Sequence, residues 1–249
     1  GPLSSARTNS TGATGNASYG YFSGGYPGLS IVDRIDFSND TATAALKGNL
    51  SKEQEAGYAT GNQSYGWFAG GGGGGPALTT VSRVDYSNDT ATGSPRGDLA
   101  QGRKWGGATG NADYGYFGAG QPSITSVDRI DYSNDTATAS LKGPLTVYNY
   151  GYGATGNTSY GYFGGIASGR TRVDRIDFSN DSPTATTKGP LSAGRYGLTA
   201  TSSRANANPI ALSPSVTVDK GAAGYTTTTL GPAFGYAIGG SWPIVSTVD

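Results

Sequence analysis

One phrase is written four times along this chain, and a fifth, altered copy follows. The fourth copy is the clearest. It reads Ala154-Thr-Gly-Asn, then Tyr160-Gly-Tyr-Phe-Gly-Gly, then Val173-Asp-Arg-Ile-Asp-Phe-Ser-Asn-Asp, and closes on a Thr/Ala stretch and Lys188-Gly-Pro-Leu. The aromatic anchor Tyr-Gly-(Tyr/Trp)-Phe starts at Tyr19, Tyr65, Tyr114 and Tyr160, at spacings of 46, 49 and 46. A period in this range means one supersecondary unit stacked on copies of itself. The repeat also sorts residues by role. Positions written into every copy belong to the scaffold, and positions that change between copies are where a unique site can sit.

Each unit divides into strand-sized pieces separated by turn signals. A small β-compatible stretch ends at Thr-Gly-Asn, where Asn and Gly both tolerate positive φ. Tyr-Gly-Tyr-Phe follows, with Tyr160 and Tyr162 on one face and Gly161 and Phe163 on the other. A glycine inside a strand marks close approach by a neighbour, here expected to be an aromatic of the next repeat. Val173 to Phe178 forms a third strand closed by Ser179-Asn180-Asp181, and a Thr/Ala-rich fourth strand leads to Lys-Gly-Pro-Leu. No segment holds a helical apolar period. Four short strands per unit match the blades of a β-propeller, packed through the second-strand aromatics and Ile35, Val84, Ile130 and Ile176.

Composition narrows the function classes. Seventeen basic and 17 acidic residues balance to zero net charge, which gives no electrostatic case for nucleic acid. No apolar run approaches the ~20 residues of a membrane span, so no membrane insertion is expected. The 43 glycines mostly recur at fixed places in the repeat, unlike low-complexity sequence. With no Cys and no His, triads and zinc sites built on them are excluded.

The unit resembles the kelch repeat. Arg7, Arg103 and Arg195 follow the Gly-Pro-Leu segment or its variant. Aromatic strands run into Gly24-Gly25, Gly164-Gly165 and Gly239-Gly240, and a Val-Asp-Arg-Ile-Asp-(Phe/Tyr) strand comes next. Thr41-Ala42 and Thr136-Ala137 stand where kelch blades carry a Trp, so packing between blades is expected to differ. The resemblance implies an all-β, kelch-like propeller. The wording of the repeat also resembles predicted structural or tail-associated proteins of marine cyanophages, which implies a virion or extracellular setting.

The expected architecture is one domain over 1–249, with five four-stranded blades at about 1–47, 48–96, 97–142, 143–188 and 189–249. The last is irregular. Either Phe234-Gly-Tyr-Ala-Ile is its second strand after an insertion, or Val216-Thr-Val-Asp and Thr226-Thr-Thr-Thr are diverged third and fourth strands. The spacing favours the insertion. An incomplete last blade makes self-association through it an expectation.

Comparing copies singles out one face. The Thr-Gly-Asn and Ser-Asn-Asp turns are monotonous, whereas the second-to-third loops and the connections between blades vary freely. Loops on a rigid scaffold are the usual carriers of binding. The expected contacts are Tyr26, Glu53, Glu55, Lys104, Trp105, Tyr148, Tyr150, Arg170 and Tyr196. Aromatic planes beside polar groups suit sugars and protein surfaces alike.

Three motifs are weighed against catalysis or metal binding. Asp128-Arg129-Asp131 recurs in nearly every unit, which fits a structural ion-pair ladder better than one catalytic pair. Asp36, Asn39 and Asp40 lack the calcium-loop pattern. Gly70–Gly75 lacks the Gly-Lys-Ser/Thr of a phosphate loop. No catalytic residue, metal or cofactor is assigned. The expected function is non-catalytic binding or assembly by a virion-associated propeller, in tail or fibre structure or in host-surface recognition. Its partners are a host-surface glycan or protein, or neighbouring virion proteins. The alternatives are a lectin with repeated sites between blades and a carboxylate glycosidase.

Overall fold

The computed structural model describes residues 1–9, 11–72, 75–148, 150–166, 170–194, 197–201 and 236–238. Four units each form one four-stranded antiparallel sheet in sequence order. The first holds β1 (Thr11–Gly15), β2 (Tyr19–Ser23), β3 (Val32–Asp36) and β4 (Ala45–Leu46). The second holds β5 (Tyr58–Gly61), β6 (Tyr65–Ala69), β7 (Val81–Asp85) and β8 (Ser94–Arg96). The third holds β9 (Gly107–Gly110), β10 (Tyr114–Gly118), β11 (Val127–Asp131) and β12 (Ser140–Lys142). The fourth holds β13 (Gly153–Gly156), β14 (Tyr160–Ile166), β15 (Arg170–Asp177) and β16 (Thr186–Lys188). The fifth contributes an antiparallel pair, β17 (Thr199–Thr201) and β18 (Tyr236–Ile238). That pairing puts β18 where the insertion reading has the fifth unit's second strand, and the segment between the two strands lies outside the described residues. Four blades, not five, are four-stranded among the described residues. No α-helix occurs among those residues, only two single turns of 3-10 helix at Tyr86–Asn88 and Tyr132–Asn134.

The first strands of successive units lie side by side, β1 by β5, β5 by β9, β9 by β13 and β13 by β17. The sheets therefore radiate from a common centre, which is a propeller arrangement. Local chemistry sets each hairpin. Asn16 Oδ1 accepts from the backbone N–H groups of Ser18 and Tyr19 at 2.9 and 3.0 Å, and Asn62, Asn111 and Asn157 repeat this turn. Asp36, Asp85, Asp131 and Asp177 each accept from the backbone N–H and hydroxyl of a serine two residues on. Those hydroxyls are the main reason these four carboxyls are held below the usual carboxylate range. The glycine opening each connection is fixed by a close approach. Gly48, Gly97 and Gly143 donate to the carbonyls of Asp89, Asp135 and Asp181 at 2.8–2.9 Å. A Cβ on any of them would lie under 2 Å from a carbonyl oxygen.

Adjacent blades meet in a joint built the same way three times. Tyr21 and Val32 of the first blade bury Phe68, Val84 and Tyr86 of the second. Trp67 and Val81 bury Phe117 and Ile130, while Tyr116 and Val127 bury Phe163, Ile176 and Phe178. The rings stack across the joint: Tyr21 on Tyr86, Trp67 on Tyr132 and Tyr116 on Phe178, at 4.6, 3.9 and 4.7 Å between centroids. One buried carboxylate completes each joint. Asp89 accepts from Tyr21 and Arg34 at 2.9 and 2.7 Å, with Lys47 at 3.2 Å. Asp135 takes Trp67, Arg83 and Arg96, and Asp181 takes Tyr116, Arg129 and Lys142. The expected ion-pair ladder between blades is present, with the Ser-Asn-Asp aspartate as its acceptor.

The glycine inside each Tyr-Gly-(Tyr/Trp)-Phe strand serves a different neighbour from the expected one. At Gly66 and Gly115 the aromatic that fills the space is the tyrosine of the same unit's turn. The preceding unit supplies a threonine methyl instead, 2.7 and 2.6 Å from where a Cβ would sit.

Candidate functional site

The centre of the propeller opens on the variable face. Five residues at equivalent places, one just ahead of each first strand, ring this mouth: Asn9, Ala56, Trp105, Gly151 and Gly197. All five adopt left-handed backbone, with φ of 51°, 55°, 65°, 81° and 68°. Backbone hydrogen bonds run from unit to unit around them. Ala56 N donates to Asn9 O, Trp105 N to Ala56 O and Gly151 N to Trp105 O, at 2.9, 2.9 and 2.6 Å. Leu198 N continues the series to Gly151 O at 3.4 Å. The fifth unit thus shares the scaffold at the mouth. A left-handed conformation costs an L-residue roughly 1–2 kcal/mol, which Gly151 and Gly197 avoid and Trp105 does not. The mouth leads into a recess of about 690 Å³ floored by Gly, Ala and the rings of Phe22, Tyr58 and Tyr152.

A second recess, of about 640 Å³, lies beside the mouth on the same face. Pro76 and Ala77 come from the second blade's loop and Lys104 from the connection into the third. Gln121, Pro122 and Ser123 come from the third blade's loop, and Tyr150 from the connection into the fourth. Its walls are held by a backbone bridge between Lys104 and Gln121, and Lys104 Nζ donates to Gly75 O at 3.3 Å.

The expected contacts divide by place. Trp105 lines the mouth, and Lys104 and Tyr150 share the second recess. Glu55 stands next to the mouth, where its Oε1 accepts from Asn9 Nδ2 at 3.0 Å. Glu53, Tyr26 and Tyr148 are exposed and line neither recess. Arg170 opens β15 with its side chain outside the described residues, and Tyr196 lies outside them altogether. Asn9, Gln121 and Ser123 were not singled out from sequence. Asn9 had a readable signal, because it occupies the repeat position of Trp105.

Arg103, adjacent to these residues, has a structural task. It is fully buried, its Nη2 donates to Asp128 at 2.8 Å, and its Nη1 donates to the carbonyls of Phe117, Ala119 and Ser126. Burial nevertheless raises the Asp128 carboxyl above its ordinary value, against the pull of Arg103. Arg7 pairs with Asp33 in the first unit. In the second, Gln54 and Ser82 replace both charges together, and both are buried. Asp174, in the fourth, accepts from the backbone N–H and hydroxyl of Thr146 at 2.8 Å.

The architecture has a counterpart among solved structures. The chain is similar to the structure of YjhT, with a TM-score of 0.62 over 79% of this chain and 69% of that one. At 12% identity the likeness shows the fold alone. No protein-family model matches the sequence, and no curated protein does.

Proposed function

We propose that this propeller is a non-catalytic recognition module, carried on a virion or working outside the cell, that binds a host-surface glycan through its variable face. The observation that carries this reading is the second recess. It gathers Lys104, Gln121 and Ser123 of the third unit with Tyr150 of the fourth, beside Pro76 and Ala77 of the second, into one concave place. An aromatic plane beside an ammonium, an amide and a hydroxyl is the chemistry of a saccharide site. The non-catalytic part of the reading rests on the buried carboxylates. Asp33, Asp128, Asp89, Asp135, Asp181 and Asp174 are each committed to an arginine or a threonine in a repeated structural role. The virion setting rests on the cyanophage-like wording of the repeat.

The test is a glycan array followed by titration calorimetry on the best hit. One ligand per chain, lost in Lys104→Ala and Tyr150→Ala, is the expected result. A stoichiometry near the number of blades would instead favour a lectin with repeated sites. No glycan binding, together with capture of a surface protein by the same residues, would keep the face and change the ligand class.

A further inference from the structure

The second recess carries a charge that the scaffold does not neutralise. All its lining residues come from the second, third and fourth units and their connections, and Lys104 is the one charged side chain among them. Lys47 and Lys142 pair with Asp89 and Asp181 at 3.2 and 3.1 Å. Lys104 has no carboxylate within ion-pair distance among the described residues. Its Nζ donates to Gly75 O at 3.3 Å, which leaves two of the three ammonium donors for a ligand.

The repeat shows how the charge arose at this place. The position ahead of each mouth residue reads Thr8, Glu55, Lys104 and Tyr150 in the first four units. Glu55, the acid of the set, does not line the recess, and its Oε1 accepts from Asn9 of the first unit at 3.0 Å. Lys104 and Tyr150, one repeat apart, both line it. The loop that brings Gln121 and Ser123 is fixed from beneath. The buried Arg103 guanidinium donates to Ala119 O and Ser126 O, at the two ends of that loop, at 3.3 and 2.8 Å. Gln121 N donates to Lys104 O at 2.7 Å and Lys104 N to Gln121 O at 3.1 Å, so ammonium and amide are tied to one rigid frame. Ser123 takes a φ of 50°, a backbone that favours glycine, and keeps its hydroxyl at the rim. Strain of this kind held by a rigid surround is a mark of functional places.

On the saccharide reading given above, we infer that the recess selects an acidic saccharide, with one carboxylate or sulfate substituent set against Lys104. The ammonium supplies the charge, and the Gln121 amide and Ser123 hydroxyl supply neutral donors. The Tyr150 ring packs on the apolar face of the sugar. Carboxylate and sulfate offer an ammonium the same chemistry, oxygen acceptors bearing negative charge. No acidic side chain lines the wall to repel either.

The experiment titrates the full chain with two matched pairs of probes in a calorimeter. One pair is an oligogalacturonate and its methyl ester, the other a sulfated dextran oligosaccharide and the unsulfated dextran of equal length. The expected result is that an acidic member binds about tenfold or more tightly than its neutral partner, as for one charge-assisted contact. Added salt narrows that gap. Lys104→Gln abolishes the gap and keeps the weak affinity for the neutral partner, so the loss is not one of folding. Lys52→Gln, at an exposed lysine of the connection into the second blade, keeps the gap. The pair that shows the gap names the anionic group. Equal affinity for acidic and neutral members overturns the inference and leaves the saccharide reading standing. Equal losses in Lys52→Gln and Lys104→Gln overturn it in favour of diffuse charge attraction. No binding of either acidic probe also overturns it, and the saccharide reading is then decided by the glycan array alone.

Discussion

Thr109 carries a buried hydroxyl with no hydrogen-bond partner. The same hydroxyl in the two preceding units meets a tyrosine, Thr14 with Tyr86 at 3.2 Å and Thr60 with Tyr132 at 3.1 Å. Phe178 stands where the third tyrosine would be. Phe178→Tyr is expected to stabilise the chain by about 1 kcal/mol, the net worth of one buried hydrogen bond, measured by urea unfolding. A fall in stability would mean that the third joint is packed differently from the other two. Gln54 and Ser82 make a second residue-scale case, since the second unit drops the buried arginine and its aspartate together, whereas the fourth, with Asn149 at the arginine's place, keeps Asp174 and satisfies it with Thr146. Ser82→Asp alone leaves a buried carboxylate facing an amide and is expected to cost about 3–5 kcal/mol. Adding Gln54→Arg should recover most of that loss in a double-mutant cycle. This coupling was legible in the aligned copies. The positive φ at Trp105 was not, because only two of the five equivalent positions are glycine and a side chain's identity does not report the backbone angle it accepts.

At the level of the element, the second strands share one phenylalanine position but differ in which blade precedes them. Phe68, Phe117 and Phe163 are sealed under a neighbour, while Phe22 faces the open side of the first blade. Truncation to alanine should therefore cost about 3–5 kcal/mol at the three sealed positions and clearly less at Phe22. Equal losses at all four, in chemical unfolding, would show that the first blade is covered like the rest. The strand order was readable from sequence because turn chemistry punctuates each unit: Asn with Gly, then Ser-Asn-Asp, then Gly-Pro-Leu. The neighbour of each strand glycine was read wrongly for a physical reason. The aromatic that follows the third strand folds back over its own second strand before it reaches the next blade, and the sequence does not show that direction.

For the whole molecule, the joints tie stability to pH at the alkaline end. Burial raises the phenols of Tyr21, Tyr58, Tyr86, Tyr116 and Tyr132 above their ordinary value, helped at Tyr21 and Tyr116 by a neighbouring aspartate. A raised acid keeps its proton longer in the folded state. Its stabilising share is complete below the unfolded value near 10 and is lost as pH rises beyond it. Unfolding should set in cooperatively above about pH 10, with phenolate absorbance for these rings appearing only as the fold opens. Smooth titration of all tyrosines at their ordinary value would contradict this packing. The four low turn aspartates act at the other end, where their stabilisation is present above about pH 4 and is lost as pH falls through their depressed values. What the sequence could not place was which variable residues meet in space. Lys104 and Tyr150 share a recess, and Tyr26 and Tyr148 do not, because that depends on how the loops of three blades converge. The account as a whole holds that one face is scaffold and the other recognises a ligand. The most direct measurement compares substitutions on both faces in one surface-binding assay. Lys104→Ala and Tyr150→Ala in the second recess stand against Thr136→Ala on the monotonous face. The account predicts unchanged folding in all three variants, with binding lost in the first two and kept in the third. Loss in Thr136→Ala with full binding in the other two would contradict it.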